Sequence, residues 1–245
     1  MATKEKQKPF ADSIAILQQE ITECRRCPRL VEWREQIARD KVKRFQADDY
    51  WGRPVPSLGN AAARLLIIGL APAAHGGNRT GRIFTGDRSG DWLYRALHRA
   101  GFANQPTSVN RDDGLQLMDC YITAMAHCAP PDNKPLPAEI DNCRPYLLQE
   151  IDYLKNLRVV VALGQLAFQA ALQSFPYETA KKPKFAHGAE VDLSGGIRLI
   201  ASYHPSQRNT FTGMLTEAMF DAIFTRAREI ITPIDCQKMN SGDRR

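Results

Sequence analysis

The sequence predicts an α/β fold, a three-layer α/β/α sandwich around a four-stranded parallel sheet. Three observations carry that prediction. Four short apolar runs, at residues 65–68, 120–126, 159–163 and 197–203, contain β-branched residues and have Gly or Pro close by, as buried central strands do. Helical patterns occupy the intervals at 90–100, 145–154 and 165–172. Strands alternating with helices imply a parallel sheet covered on both faces.

Taken in order, Ser13 can cap a first helix in which Ile14, Leu17 and Ile21 recur at helical spacing toward Cys24. Pro28 suits the first turn of a second helix. Residues 45–63 hold Gly52, Pro54, Pro56 and Gly59 with no sustained period, so they read as an ordered loop. Ser89 or Asp91 can cap the helix at 90–100, and Gly101 can close it. Val191 and Leu193, just before Ser194-Gly195-Gly196, suggest a hairpin strand at a sheet edge. A last helix at 215–231 carries Leu215, Met219, Ala222 and Ile223 on one side. One domain is expected over residues 13–232, with flexible tails at 1–12 and 233–245.

Composition narrows the setting. Among 245 residues, 33 Lys and Arg exceed 27 Asp and Glu, a net charge of +6 that favours a polyanionic partner. No apolar run reaches the roughly 18 residues of a membrane span, and the lysine-bearing first nine residues lack the core of a signal peptide. A cytoplasmic monomer with no membrane partner is the expectation. In a reducing compartment the six cysteines read as metal ligands or buried thiols rather than disulfides.

Four cysteines form a pattern. Cys24 and Cys27 make a C-x2-C pair, and Cys128 and Cys143 follow about a hundred residues later. Four thiolates suit either a tetrahedral zinc ion or a [4Fe–4S] cluster, and residue identity does not separate the two. Cys128 and Cys143 can also be plain buried thiols. Cys120 and Cys236 lack partners and read as free thiols. Pro130, Pro131, Pro135 and Pro137 stiffen the chain between the third and fourth ligands. Arg25, Arg26 and Arg29 surround the first pair, as a phosphate-facing lobe or an ordinary solvated face.

In a sheet of this kind ligands bind beyond the carboxyl ends of the strands. The loop there at 69–87 reads Gly-Leu-Ala-Pro-Ala-Ala-His-Gly-Gly-Asn-Arg-Thr-Gly-Arg-Ile-Phe-Thr-Gly-Asp. Such small residues let backbone amides approach a ligand, while the phosphate-loop pattern of nucleoside triphosphatases is absent. This segment, with His204-Pro-Ser-Gln-Arg-Asn209 and the four cysteines, resembles the uracil-DNA glycosylase superfamily, and specifically its iron–sulfur, broad-specificity type B branch, family 5. Lesser agreements are Cys128-Ala-Pro-Pro-Asp-Asn-Lys-Pro135, Cys143-Arg-Pro-Tyr-Leu147 and Phe185-Ala-His-Gly188.

The resemblance implies removal of uracil, and of hypoxanthine, xanthine and other damaged bases, from DNA, with a [4Fe–4S] cluster on Cys24, Cys27, Cys128 and Cys143. Family 4 enzymes carry a Glu and an Asn where this chain has Leu70 and Ala124, a departure from a uracil-only pocket. A flipped base would stack on Phe84, beside Gly69, Ala71 and Ala73. By resemblance His204 donates to the departing base. Asp87, Asn78 or Asn133 would orient the attacking water, Asp87 having the alternative role of a helix cap. Arg208 and Asn209 would support the duplex from the minor groove. A non-catalytic, metal-stabilised nucleic-acid-binding protein and a superfamily member that crosslinks DNA through a histidine are the competing readings.

Overall fold

A computed structural model of the chain describes residues 10–177 and 181–232. Its described elements run α1 (Phe10–Glu23), α2 (Pro28–Asp40), β1 (Leu58–Gly59), β2 (Leu65–Gly69), α3 (Gly77–Thr80), α4 (Arg88–Arg99), β3 (Cys120–Ala124), α5 (Pro137–Tyr153), β4 (Val159–Leu163), α6 (Gln165–Ser174), β5 (Glu190–Leu193), β6 (Ile197–Ser202), α7 (Gln207–Phe211) and α8 (Glu217–Ile231), with short 3-10 turns at Lys43–Phe45 and Pro131–Asn133.

The sheet is mixed and has six strands, in the order β1-β3-β2-β4-β6-β5, rather than the four expected. The four predicted strands form its centre, where β3, β2, β4 and β6 run parallel. Both additions are antiparallel edges. The hairpin strand at Val191 and Leu193 pairs with β6, and β1, two residues long inside the predicted loop, pairs with β3. Two residues cannot display a period of two, so β1 leaves no trace in the pattern.

Strand β2 shows how the layers are built. Successive side chains point to opposite faces. Leu65 and Ile67 pack with Leu93 and Leu97 of α4 and Phe220 and Phe224 of α8, whereas Leu66 and Ile68 pack with Leu147 of α5 and Phe168 of α6. All four β2 side chains have 0% exposure, which explains a continuous rather than alternating apolar run.

Several boundaries differ from expectation. Helix α1 begins at Phe10, so Ser13 sits inside it rather than at its cap, and residues 10–12 belong to the helix rather than to a tail. Residues 1–9 and 233–245, with Cys236, lie outside the described residues. Helix α5 starts at Pro137, not Pro145, because Glu139 accepts the Leu136 amide at 2.7 Å and nucleates the turn earlier. Pro145 is carried inside the helix, between the buried residues Cys143 and Tyr146. Helix α8 starts after Thr216, whose hydroxyl accepts the Met219 amide, and buries Phe220, Ile223, Phe224, Ala227 and Ile231. Ala222 is exposed and Leu215 precedes the helix. Among the described residues no helix is long and apolar enough to cross a membrane.

Candidate active site

Among the parallel strands β2 comes first in the chain, with β3 on one side of it and β4 on the other. This reversal opens a crevice beyond the carboxyl ends of the strands. A cavity of about 500 Å³ lies there, within the range of small-molecule sites. Its wall includes Leu70 to Ala73 after β2, Ala124 at the end of β3, Phe84, Asp87, Asn133, and His204 with Ser206 to Arg208 after β6. Leu70 and Ala124, the two departures noted in the sequence, both line it.

Phe84 and His204 face each other across this space, ring centroids 6.2 Å apart and planes inclined by 32°. Phe84 has φ +51°, a left-handed conformation that a bulky L-residue adopts only under tertiary constraint. The constraint comes from three directions. Gly69 lies behind the ring, where a Cβ would stand 2.8 Å from Cζ. Gly90, in the first turn of α4, presses its bare Cα against the Phe84 carbonyl, with no room for a Cβ. Tyr94 of α4 donates to the adjacent Ile83 carbonyl at 2.8 Å. Arg82, 5% exposed, anchors the same strip by a fork to Asp113 and hydrogen bonds to Ser108 and Thr85.

His204 sits just past β6. Its carbonyl accepts from the Ser206 amide at 2.8 Å and from Asn209 Nδ2 at 2.9 Å. Among the described residues its imidazole makes no hydrogen bond, so the ring is free to meet a ligand. Burial pushes its pKa down to about 4, which keeps it neutral at pH 7. The preceding residue is held by a histidine that sequence reasoning did not single out. His187 Nδ1 accepts the Tyr203 amide at 3.1 Å, and Nε2 donates to the Met219 carbonyl at 3.2 Å, a pairing that fixes its tautomer. Only the short Phe185-Ala-His-Gly188 agreement pointed toward it.

The sign of the His204 shift has a consequence for stability. The unfolded chain takes up the proton near pH 6.5, before the folded protein does, so stability is complete above that pH and declines as pH falls toward 4. His187 and His75 are lowered in the same direction by burial. A His204→Gln variant is therefore expected to lose less of its urea midpoint than the wild type between pH 7 and pH 4.5. Parallel curves for the two proteins would show that His204 does not carry this proton linkage.

Asp87 is the N-cap of α4, displacing Ser89 and Asp91 from that role, and its Oδ1 accepts the Gly90 amide at 3.0 Å. Burial raises its pKa, partly offset by the backbone amides of Gly90 and Ser89. The same carboxylate lines the cavity. Asp87→Ala is expected to cost about 1 kcal/mol in thermal or urea unfolding, and Asp87→Asn, which can still cap, much less. Equal losses in both variants would mean the charge, not the cap, supports the fold.

The remaining residues divide between the cavity and its supports. Asn133, exposed and at φ +56°, reaches the rim. Ala71, Ala73 and Arg208 line the wall, whereas Gly69 lies behind Phe84. Asn209 turns inward to the His204 carbonyl. Asn78 is not in the wall; it has 0% exposure and donates to the Arg34 carbonyl at 3.2 Å. Arg79 braces its own loop through the His75 carbonyl and Asp48.

The cysteines come from four separate segments. Cys24 follows α1, Cys27 caps α2, Cys128 follows β3 and Cys143 lies in α5. Burial pushes the Cys128 thiol up to about 11 and that of Cys143 up to about 12, and Cys143 lies within the electrostatic reach of the other three. Arg34 donates to Cys128 Sγ at 2.8 Å, and Asn142 to Cys27 Sγ at 3.4 Å. Arg34 Nε is a buried donor with no partner among the described residues; His127 Nε2 is also buried and unpartnered, but it is the acceptor nitrogen, since Nδ1 donates to the Val55 carbonyl at 2.8 Å. Among those residues no three His, Cys, Asp or Glu side chains converge closely enough to hold a single metal ion. Arg25 pairs with Glu35, and Arg29 forks onto Glu139 at 2.7 Å, so neither is a free cation. Cys120 is buried within β3.

The family model described as the uracil DNA glycosylase superfamily matches residues 56–228, a span holding every cavity residue named above. The chain belongs to this superfamily. The type-5 uracil-DNA glycosylase of Mycobacterium bovis is 52% identical over 221 residues, covering 90% of this chain and 82% of the relative. That of Thermus thermophilus is 48% identical over 212 residues, covering 86% of this chain and 95% of the relative. A type-4 uracil-DNA glycosylase from Thermotoga maritima is 31% identical over 149 residues, covering 60% of this chain and 67% of its own. Within the superfamily, then, the resemblance read from the glycine-rich loop and the segment after β6 holds over most of the chain.

Proposed function

We propose that this protein is a monomeric, cytoplasmic DNA-repair hydrolase, its residues 13–232 acting as one domain, that cuts the N-glycosidic bond of uracil and of other deaminated bases and leaves an abasic site. The observation that carries this reading is the neutral His204 facing Phe84 across a base-sized cavity at the sheet's carboxyl edge. Uracil removal is supported by the type-5 relatives. Breadth toward hypoxanthine and xanthine is supported by the wall itself. Leu70 and Ala124 offer no side-chain hydrogen bonds to read one base edge, so shape and stacking select.

The chemistry follows from charge. An extruded base stacks on Phe84, an interaction worth about 1–3 kcal/mol. As the glycosidic bond lengthens, negative charge grows on the base, and the neutral His204 ring donates a hydrogen bond to its oxygen. Water attacks the sugar from the rim, where Asn133 and Asp87 offer acceptors. Arg208, on the same rim, contacts the DNA backbone.

The four cysteines are read as holding a [4Fe–4S] cluster. Two features of this chain fit that group: four thiols within electrostatic reach of one another, and the buried unpartnered donor Arg34 Nε, which an anionic acceptor would satisfy. Each thiolate of such a cluster binds its own iron, so convergence on one point is not required. When bound, the cluster supplies a cross-link between α1, α2, α5 and the loop after β3. Cys128→Ser is expected to lose the brown absorbance and to unfold more readily, because metal binding is coupled to folding. Colourless wild-type protein, purified without air and loaded with zinc, would overturn the cluster.

The deciding experiment incubates the protein with duplexes containing uracil, hypoxanthine or xanthine and measures free base and alkali-labile sites. Release from all three is expected. Retention of the duplex without any base release would favour a binding protein, and a denaturant-resistant adduct would favour a crosslinking one.

A further inference from the structure

The cysteine site and the glycine-rich loop meet at one residue. Arg34, on α2, has 2% exposure and is among the largest fully buried side chains. Its Nη1 donates to Cys128 Sγ at 2.8 Å, and both Nη1 and Nη2 reach the Cys24 carbonyl at 3.3 Å. A buried arginine ordinarily meets a carboxylate. Here Glu35 is 3.9 Å away and is itself engaged by Arg25, so the sulfur takes the short hydrogen bond. The Arg34 carbonyl accepts from Asn78 Nδ2 at 3.2 Å, and Asn78 stands in α3, six residues before Phe84. Both Arg34 Nε and Asn78 Oδ1 are buried and unpartnered among the described residues.

Building on the cluster reading above, we propose that Arg34 is a positioning residue that tunes the cysteine site through Cys128 and couples it, through Asn78, to the loop carrying Phe84. A cationic donor on a ligand sulfur stabilises the more negative, reduced form of a cluster, so it raises the reduction potential and slows loss of iron. Asn78 holds the α2 backbone from which that guanidinium projects. The loop and the cysteines therefore share one residue.

The test uses the full-length, iron-loaded wild type beside Arg34→Met, Arg34→Lys and Asn78→Ala. Three quantities are read: midpoint potential in a dye-mediated titration, bleaching rate under ferricyanide with a chelator, and single-turnover uracil release. Arg34→Met is expected to shift the potential to more negative values and to bleach about tenfold faster, the scale of lost outer-shell support. Arg34→Lys, which keeps the charge and loses the fork, should fall between. Asn78→Ala, which touches no cysteine, should shift the potential in the same direction by less and slow base release. An unchanged potential in Arg34→Met, or in Arg34→Lys if the methionine variant does not fold, overturns the assignment. An unchanged potential in Asn78→Ala overturns the coupling. Wild-type protein without iron would instead defeat the cluster reading itself, so the two failures are separable.

Discussion

His204→Ala is expected to slow single-turnover release of uracil by about 10²- to 10³-fold while leaving duplex binding and the unfolding midpoint at pH 7 nearly unchanged. The ring has no hydrogen-bonding task in holding the fold. Its imidazole makes no hydrogen bond among the described residues, and the segment is held instead through the His204 carbonyl by Ser206 and Asn209. Removing the ring therefore deletes the donor without releasing the loop. Burial keeps the ring neutral, and a neutral ring can lend its N–H to a developing anion without first losing a proton. Single-turnover assays with a uracil duplex, together with binding measured on an uncleavable analogue, separate the two effects. Release within about threefold of wild type would remove His204 from the chemistry, since a lost charge-stabilising donor costs far more.

Gly90→Ala is expected to be the most damaging small substitution near the cavity. Inside a helix this exchange ordinarily stabilises by about 1 kcal/mol. Here the new Cβ would drive into the Phe84 carbonyl, which is backbone and cannot rotate away. Either the first turn of α4 lifts off, straining the Asp87 cap on the Gly90 amide, or Phe84 leaves its φ of +51°. Overpacking of this kind costs about 3 kcal/mol, a fall in Tm of roughly 6–12 °C at this size. Base release should fall as well, because the stacking ring moves with its backbone. Gly69→Ala makes the useful contrast. Its Cβ would meet Phe84 Cζ at 2.8 Å, a ring edge that can tilt, so substrate affinity should suffer more than Tm. A Gly90→Ala protein as stable and active as wild type would show that this contact does not hold Phe84 in place.

Some features were legible because local chemistry and tertiary need agree. The parallel core strands are mostly apolar along their length because helices cover both faces, so the runs could be found without knowing their order. Arg25 and Arg29 show the opposite case. A row of arginines suggests a phosphate-binding lobe, yet Glu35 and Glu139 neutralise two of them, and the Arg29 partner lies 110 residues away. Asn78 is similar, since nothing local tells a buried brace from a cavity wall.

What the sequence alone determined was the succession of strands and helices, the loops at the strand ends, and the residue types available for a glycosylase. Those depend on periodicity, turn chemistry and motif order, which are properties of neighbours along the chain. Only the tertiary structure decided which residues meet. It added the short edge strand β1, set Phe84 against His204, turned Asn209 and Asn78 into supports, and brought Arg34 onto Cys128 from 94 residues away. Such pairings follow from packing across the sheet and from burial, which lowers the pKa of His204 and leaves Arg34 facing sulfur. Neither can be read from spacing, because desolvation depends on what the rest of the chain covers.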